Sequence, residues 1–99
     1  MRRVVVTGAN RGLGLEFTRQ LLARGDRVYA AVRKPGQVHE LTRLALAHPG
    51  RVSVLPFDAT KPATAVELVR EIGLVDDAID VLINNAGVLH PGERYGALE

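Results

Sequence analysis

A chain of 99 residues holds one domain at most, and one this short buries only about 60–65% of the surface that its unfolded form exposes. Its 46% apolar and 24% charged residues exclude disorder of the whole chain, and a net charge of +2, from 13 Lys+Arg against 11 Asp+Glu, is too small to call for a nucleic-acid partner. The absence of cysteine excludes a disulfide scaffold, a zinc knuckle and a cysteine nucleophile.

The first predicted element is a buried strand, the β-branched run Val4-Val5-Val6-Thr7 ended by Gly8. That run is too short for a signal peptide, and no apolar run approaches the roughly 18–20 residues of a membrane span. A soluble, cytoplasmic protein without membrane partners is therefore the default expectation. Leu13, Phe17 and Leu21 recur every fourth position with Leu22 beside them, which predicts a helix with this stripe inward and Gly25 as its stop. Val28-Tyr29-Ala30-Ala31-Val32 reads as a second strand, and Lys34-Pro35-Gly36 breaks the chain. Val38, Leu41, Leu44 and Ala45 mark a second helix, closed by Pro49-Gly50. Residues 52–57 read as a third strand, with Pro56 loosening its ladder near the end. Thr60 is the expected N-cap of a third helix, with Pro62 in its first turn. Ala65, Leu68, Val69 and Ile72 form the inner face of that helix, which closes near Gly73. Residues 79–83 make a fourth strand, and residues 84–99 carry no firm pattern.

Strands alternating with helices at this spacing predict an α/β fold, a doubly wound Rossmann-type parallel sheet with helices on both faces. The nearly all-apolar strands agree with a sheet covered on both sides.

Between the first strand and the first helix stands Thr7-Gly8-Ala9-Asn10-Arg11-Gly12-Leu13-Gly14. Gly8 suits a tight turn off the strand, Gly12 a close approach of backbone to a pyrophosphate, and Gly14 the packing of helix on sheet. The start of the helix offers unpaired N–H groups and partial positive charge to phosphates. Read for structure alone, the same glycines would serve backbone angles in an ordinary strand-to-helix turn. A Walker-type phosphate loop is excluded, because no Gly-Lys-Ser/Thr follows.

The spacing Thr-Gly-x-x-x-Gly-x-Gly resembles the cofactor loop of the short-chain dehydrogenase/reductase family. The resemblance extends to Asp58, directly after the third strand, and to Asn84-Asn85-Ala86-Gly87, directly after the fourth. It covers nearly the whole chain and is most similar to carbonyl-reductase-like and C-factor/sniffer-like members. It implies strand order 3-2-1-4 and a cofactor lying across the carboxyl ends of the strands. By resemblance, Gly8, Asn10, Arg11, Gly12, Leu13 and Gly14 would line the phosphates and adenosine. Asp58 and Ala59 would flank the adenine, with Asp58 on its amino group, and Asn85, Ala86 and Gly87 would border the ribose and nicotinamide. Asn84 resembles an internal brace between strands. Asp58 could equally help Thr60 start the helix, and two adjacent asparagines could be a plain turn.

The second strand ends in Ala31-Val32-Arg33-Lys34, without the acid that hydrogen-bonds the ribose in NAD-binding sheets. A guanidinium there can grip a 2′-phosphate, and Arg11 could add a second cation. Arg33 and Arg11 together, with the acid missing, favour NADP(H) over NAD(H), although either alone could be a solvated surface cation.

The family's hydride transfer uses a Ser, and a Tyr followed four residues on by a Lys. Here Tyr29 is followed by Arg33 and Tyr95 by Glu99, and the only lysines are Lys34 and Lys61. Thr7 and Ser53 sit in strands with no base placed for them, and His39, His48 and His90 lack metal-ligand spacing. The expectation is therefore that residues 1–99 are the NADP(H)-binding part of a longer reductase, with the catalytic Ser, Tyr and Lys beyond Glu99. The full-length protein would act on a small carbonyl or alcohol substrate, as a homo-oligomer. The alternative is a stand-alone, non-catalytic dinucleotide-binding or sensor module. Truncation is favoured because Val81-Leu82-Ile83 would otherwise be a bare, uncharged sheet edge.

Overall fold

Valines are stiff at χ1 and sit well in pleated backbone, and Arg3–Thr7 forms strand β1 of the computed structural model, which describes residues 1–85. Helix α1 (Gly12–Ala23), strand β2 (Arg27–Val32), helix α2 (His39–Ala47), strand β3 (Val52–Pro56), helix α3 (Pro62–Gly73) and strand β4 (Val81–Ile83) follow, with one 3-10 turn at Pro35–Gln37. The four strands pair in parallel in the order β3-β2-β1-β4. This is the doubly wound arrangement expected from the alternation. Among the described residues, no helix is long and apolar enough to cross a membrane.

The period of two along the strands sorts the core into two layers. Val4, Val6, Val28, Ala30 and Val32 pack with Leu21 and Leu22 of α1 and with Val38 and Leu41 ahead of and within α2. Val5, Tyr29 and Ala31 face the other way, onto Leu68 and Ile72 of α3. Leu22 and Leu41 are fully buried, and each such side chain contributes about 1.5–3 kcal/mol relative to exposure. Among the described residues, two helices cover the first face and one covers the second. Between α3 and β4 the second face leaves a groove lined by Val5, Phe57, Leu68, Val69 and Leu82.

Several local expectations are corrected. The inner face of α1 is Gly14, Thr18, Leu21 and Leu22, while Leu13 is 67% exposed and Phe17 lies at the surface. The close seat of Gly14 on the loop turns the small residues inward and rotates the first two bulky ones out. In α3 only Leu68 and Ile72 are buried, and Val69 is exposed, since among the described residues α3 is the one helix on this face. Lys61, not Thr60, is the N-cap of α3, and it makes no side-chain cap bond; Pro62 does open the helix. Thr60 is held back by Asp58. Strand β4 begins at Val81 rather than at position 79. The Asp80 side chain accepts the Arg3 N–H at 2.7 Å, while the Asp80 N–H donates to the Arg3 carbonyl at 2.9 Å, so a carboxylate replaces one ladder acceptor.

Pro56 does not loosen the ladder. It stands opposite Val32, and the Phe57 N–H donates to the Val32 carbonyl at 2.8 Å. Among the described residues strand β3 is an edge strand, where a missing N–H is tolerated. Gly25 follows the end of α1 at φ +95°, as a helix stop should.

Candidate functional site

From β1 the chain moves outward to β2 and β3, then returns to the other side of β1 as β4. Ligands of open parallel sheets bind at the carboxyl ends of the strands beside such a reversal. Thr7, Arg33, Asp58 and Asn84 all stand at or just past those carboxyl ends.

Gly8 leaves β1 at φ +63°, and its N–H donates to the Ala31 carbonyl at 2.9 Å, extending the ladder by one bond into the loop. Gly12 opens α1 at φ +57°, a left-handed conformation, and a Cβ built there meets nothing within 4 Å. The backbone is therefore both glycine-dependent and open to approach. Gly14 is the opposite case. Its Cβ would lie 2.1 Å from the Gly8 carbonyl oxygen and 2.7 Å from Asn85 Nδ2. What Gly14 permits is contact of the helix with the loop and with Asn85, a closer partner than the sheet. Ala9, which no motif singled out, is wholly buried in the first core layer and anchors the loop between the half-buried Gly8 and Asn10.

Arg11 is the N-cap of α1 in extended conformation and makes no side-chain cap bond, and the first turn of the helix holds no acid. Its N–H groups and the positive end of the helix dipole thus meet no carboxylate from that turn. Arg11 and Leu13 are exposed, and Asn10 is half-buried.

The Thr7 hydroxyl joins the two strands at the reversal. It donates to Asn84 Oδ1 at 3.1 Å and accepts the Asn85 N–H at 2.9 Å. Asn85 Nδ2 in turn donates to the Gly8 carbonyl at 3.3 Å. Bracing, expected of Asn84, is thus shared with Asn85, which ties the end of β4 to the glycine loop, while Asn84 is exposed. Ala86 and Gly87 lie outside the described residues, as do His90 and Tyr95.

At the far side of the edge, Arg33 and Asp58 meet. Arg33 Nε lies 3.8 Å from Asp58 Oδ2, with the arginine side chain 74% exposed and the aspartate side chain 18% exposed. Asp58 Oδ1 accepts the Thr60 N–H at 2.9 Å and the Thr60 hydroxyl at 2.6 Å. Those bonds, helped by the charges of Arg33 and Lys61, hold the Asp58 carboxyl below the ordinary aspartate range. The backbone of Asp58 is pinned as well, its N–H donating to the Thr64 hydroxyl at 3.0 Å. Thr7, Thr60 and Thr64 were not among the expected site residues. For Thr60 a signal existed, since an Asp two positions ahead of a hydroxyl residue is an Asx-turn pattern. Ala59 is exposed beside this turn.

The edge therefore presents open helix N–H groups, an exposed guanidinium at the end of β2, and an ionised carboxylate at the end of β3. The family model described as short chain dehydrogenase matches residues 2–97. A short chain dehydrogenase/reductase of Colletotrichum higginsianum is 37% identical over 89 residues, covering 85% of this chain and 22% of that protein. Among solved structures, menthone neomenthol reductase from Mentha piperita superposes with a TM-score of 0.81 at 34% identity, over 88% of this chain and 32% of that one. A carbonyl reductase from Pseudomonas aeruginosa PAO1 in complex with NADP superposes with a TM-score of 0.79 at 35% identity, over 89% of this chain and 39% of that one. The chain thus spans between a fifth and two fifths of the length of these relatives.

Proposed function

The chain belongs to the short-chain dehydrogenase family, and we propose that it is the NADP(H)-binding part of a reductase that transfers hydride between a nicotinamide and a carbonyl or alcohol carbon. The observation that carries the cofactor choice is Arg33, an exposed cation just past the carboxyl end of β2. A sheet that prefers NAD holds an acid at that point, for the ribose hydroxyls. A planar guanidinium there forms charge-assisted bonds to a 2′-phosphate. The similarity to a carbonyl reductase bound to NADP supports the same reading.

The residues present fit the cofactor. Gly12 leaves open space at the start of α1, so the backbone of Gly12, Leu13 and Gly14 can approach a pyrophosphate, whose charge the helix N-terminus stabilises. Gly8 and Asn10 would complete the loop on the adenosine side, and Arg11 would supply a second cation to the same pocket. Asp58 and Ala59 flank the adenine. By the family resemblance, Asn85, Ala86 and Gly87 would border the ribose and nicotinamide, and Asn85 also braces the loop through the Gly8 carbonyl. When bound, the cofactor supplies or accepts hydride at nicotinamide C4. The Ser, Tyr and Lys that act on the substrate oxygen lie beyond this chain in our reading. The whole protein is proposed to be a cytoplasmic homo-oligomer that acts on a small molecule, without nucleic acid or membrane partners.

The test is cofactor discrimination in the full-length protein. Arg33→Asp should weaken NADPH binding by about tenfold or more, the scale of one lost charge-assisted contact, with NADH binding little changed. Unaltered discrimination would overturn the assignment of Arg33 and, with it, the NADP(H) reading.

A further inference from the structure

Arg33 is mostly exposed, and a long cationic side chain in water loses rotamer freedom whenever it grips a ligand. Here it has a fixed neighbour. Nε lies 3.8 Å from Asp58 Oδ2, across two strands whose last paired residues are Val32 and Pro56. Asp58 is itself immobilised. Its Oδ1 takes both the N–H and the hydroxyl of Thr60, and its N–H is held by Thr64. The carboxylate therefore stands in one place, ionised at neutral pH, with Oδ2 turned to the arginine. Approach through Nε directs the contact to one edge of the guanidinium, and its terminal nitrogens remain for a phosphate.

We propose that Asp58, locked by Thr60, is a positioning residue that orients Arg33 toward the 2′-phosphate and so sets the selectivity for the phosphorylated dinucleotide. This inference rests on the assignment of Arg33 to the 2′-phosphate. It gives Asp58 a role separate from the adenine contact that the family resemblance implies. The two roles differ in what they predict. An adenine contact strengthens ligands with and without the 2′-phosphate alike, whereas positioning of Arg33 strengthens only the former. A third effect has the opposite sign, since a carboxylate beside a phosphate repels it, and its removal would then raise affinity for the 2′-phosphate.

The experiment measures dissociation constants of 2′,5′-ADP and 5′-AMP, which differ only in the 2′-phosphate, for the full-length protein and its variants. Asp58→Asn keeps an acceptor for Thr60 but removes the charge, and it should lower the preference for 2′,5′-ADP by about fivefold, the upper range for an exposed ion pair. Thr60→Val should lower it by about twofold, because the carboxylate loses one of its two anchors. Arg33→Ala should lower it further than either. In the Arg33→Ala background, Asp58→Asn should leave the preference unchanged, since coupled residues fail to add. A preference that is unchanged or raised in Asp58→Asn, an equal loss for both ligands, or an undiminished effect in the Arg33→Ala background would overturn the proposal. Should Asp58→Asn fail to fold, an unchanged preference in Thr60→Val overturns it alone. If Arg33→Ala leaves the preference intact, the NADP(H) reading itself fails. If Arg33→Ala abolishes the preference and Asp58→Asn does not touch it, only the positioning role fails.

Discussion

The Cβ position of Gly14 falls 2.1 Å from the carbonyl oxygen of Gly8, six residues earlier at the other end of the glycine loop. The oxygen belongs to backbone and a Cβ is fixed in place by the backbone that carries it, so neither can swing aside, and the same carbonyl accepts a hydrogen bond from Asn85. The first turn of α1, the exit from β1 and Asn85, the second residue after β4, thus meet at a point with no room for a methyl group.

Gly14→Ala must therefore shift the helix or the loop. It is expected to cost about 1–3 kcal/mol or more, as overpacking does, and to lower affinity for the dinucleotide by moving the first-turn N–H groups. Gly12→Ala meets no atom and should cost only the left-handed strain of an alanine, about 1–2 kcal/mol. Thermal unfolding of the two variants checks the contrast in stability, and NADPH titration checks the loss of binding in Gly14→Ala, since Gly12 itself stands where a pyrophosphate would approach. Unreduced NADPH affinity in Gly14→Ala would contradict its close-contact role.

Tyr29 stands in the central strand β2 with its ring wholly buried, and its hydroxyl donates to Asp76, in the segment between α3 and β4. Asp76 also pairs with Arg27 Nε at 3.6 Å and with Arg3 at 4.0 Å. Tyr29→Phe removes a bond to a charged acceptor and should cost about 1.5–3 kcal/mol by urea denaturation. Burial, followed by the bond to Asp76, pushes the tyrosine hydroxyl above its ordinary value of 10.0. A raised value in the folded state means stability is fully present below pH 10 and is lost as pH rises through the folded value. The wild-type chain should accordingly lose stability above pH 10 more steeply than Tyr29→Phe.

Asp26, Asp58 and Asp80 all titrate below the ordinary aspartate value of 3.8. The leading causes are the Arg2 N–H on Asp26, the Thr60 hydroxyl on Asp58 and the Arg3 N–H on Asp80. A lowered folded value gives stability that is present above 3.8 and lost as pH falls through the folded value. Melting temperature should therefore drop as pH falls below 3.8 and on through the lowered folded values. Asp80→Asn should show a shallower drop than wild type, because one of the protons taken up on unfolding is gone. A slope equal to that of wild type would deny Asp80 this role.

Most of the sheet was legible in the sequence. Runs such as Val4-Val5-Val6 and residues 28–32 are stiff, apolar and bounded by glycine or charge, and such local chemistry admits few structures besides buried parallel strands. Which side of a helix faces inward was less legible. Leu13 and Phe17 fit the expected stripe of α1, yet Gly14 and Thr18 take the buried face, because the seat of Gly14 against Gly8 and Asn85 decides the rotation. The start of α3 went the same way. Thr60 is a good cap by propensity, but Asp58 engages both its N–H and its hydroxyl.

The sequence by itself determined the order of strands and helices, the glycines at the turns, the family, and the identity of the residues at the carboxyl edge. It did so because each depends on neighbours within a few positions or on a motif spelled in line. Only the tertiary structure decided that the Thr7 hydroxyl joins β1 to Asn84 and Asn85, that Asn85 braces the Gly8 carbonyl, and that Arg33 faces Asp58. These are contacts across 25 to 78 positions of chain, made by parallel strands that bring distant carboxyl ends into one row. No local preference encodes them, since each follows from sheet register and the closeness of two backbones.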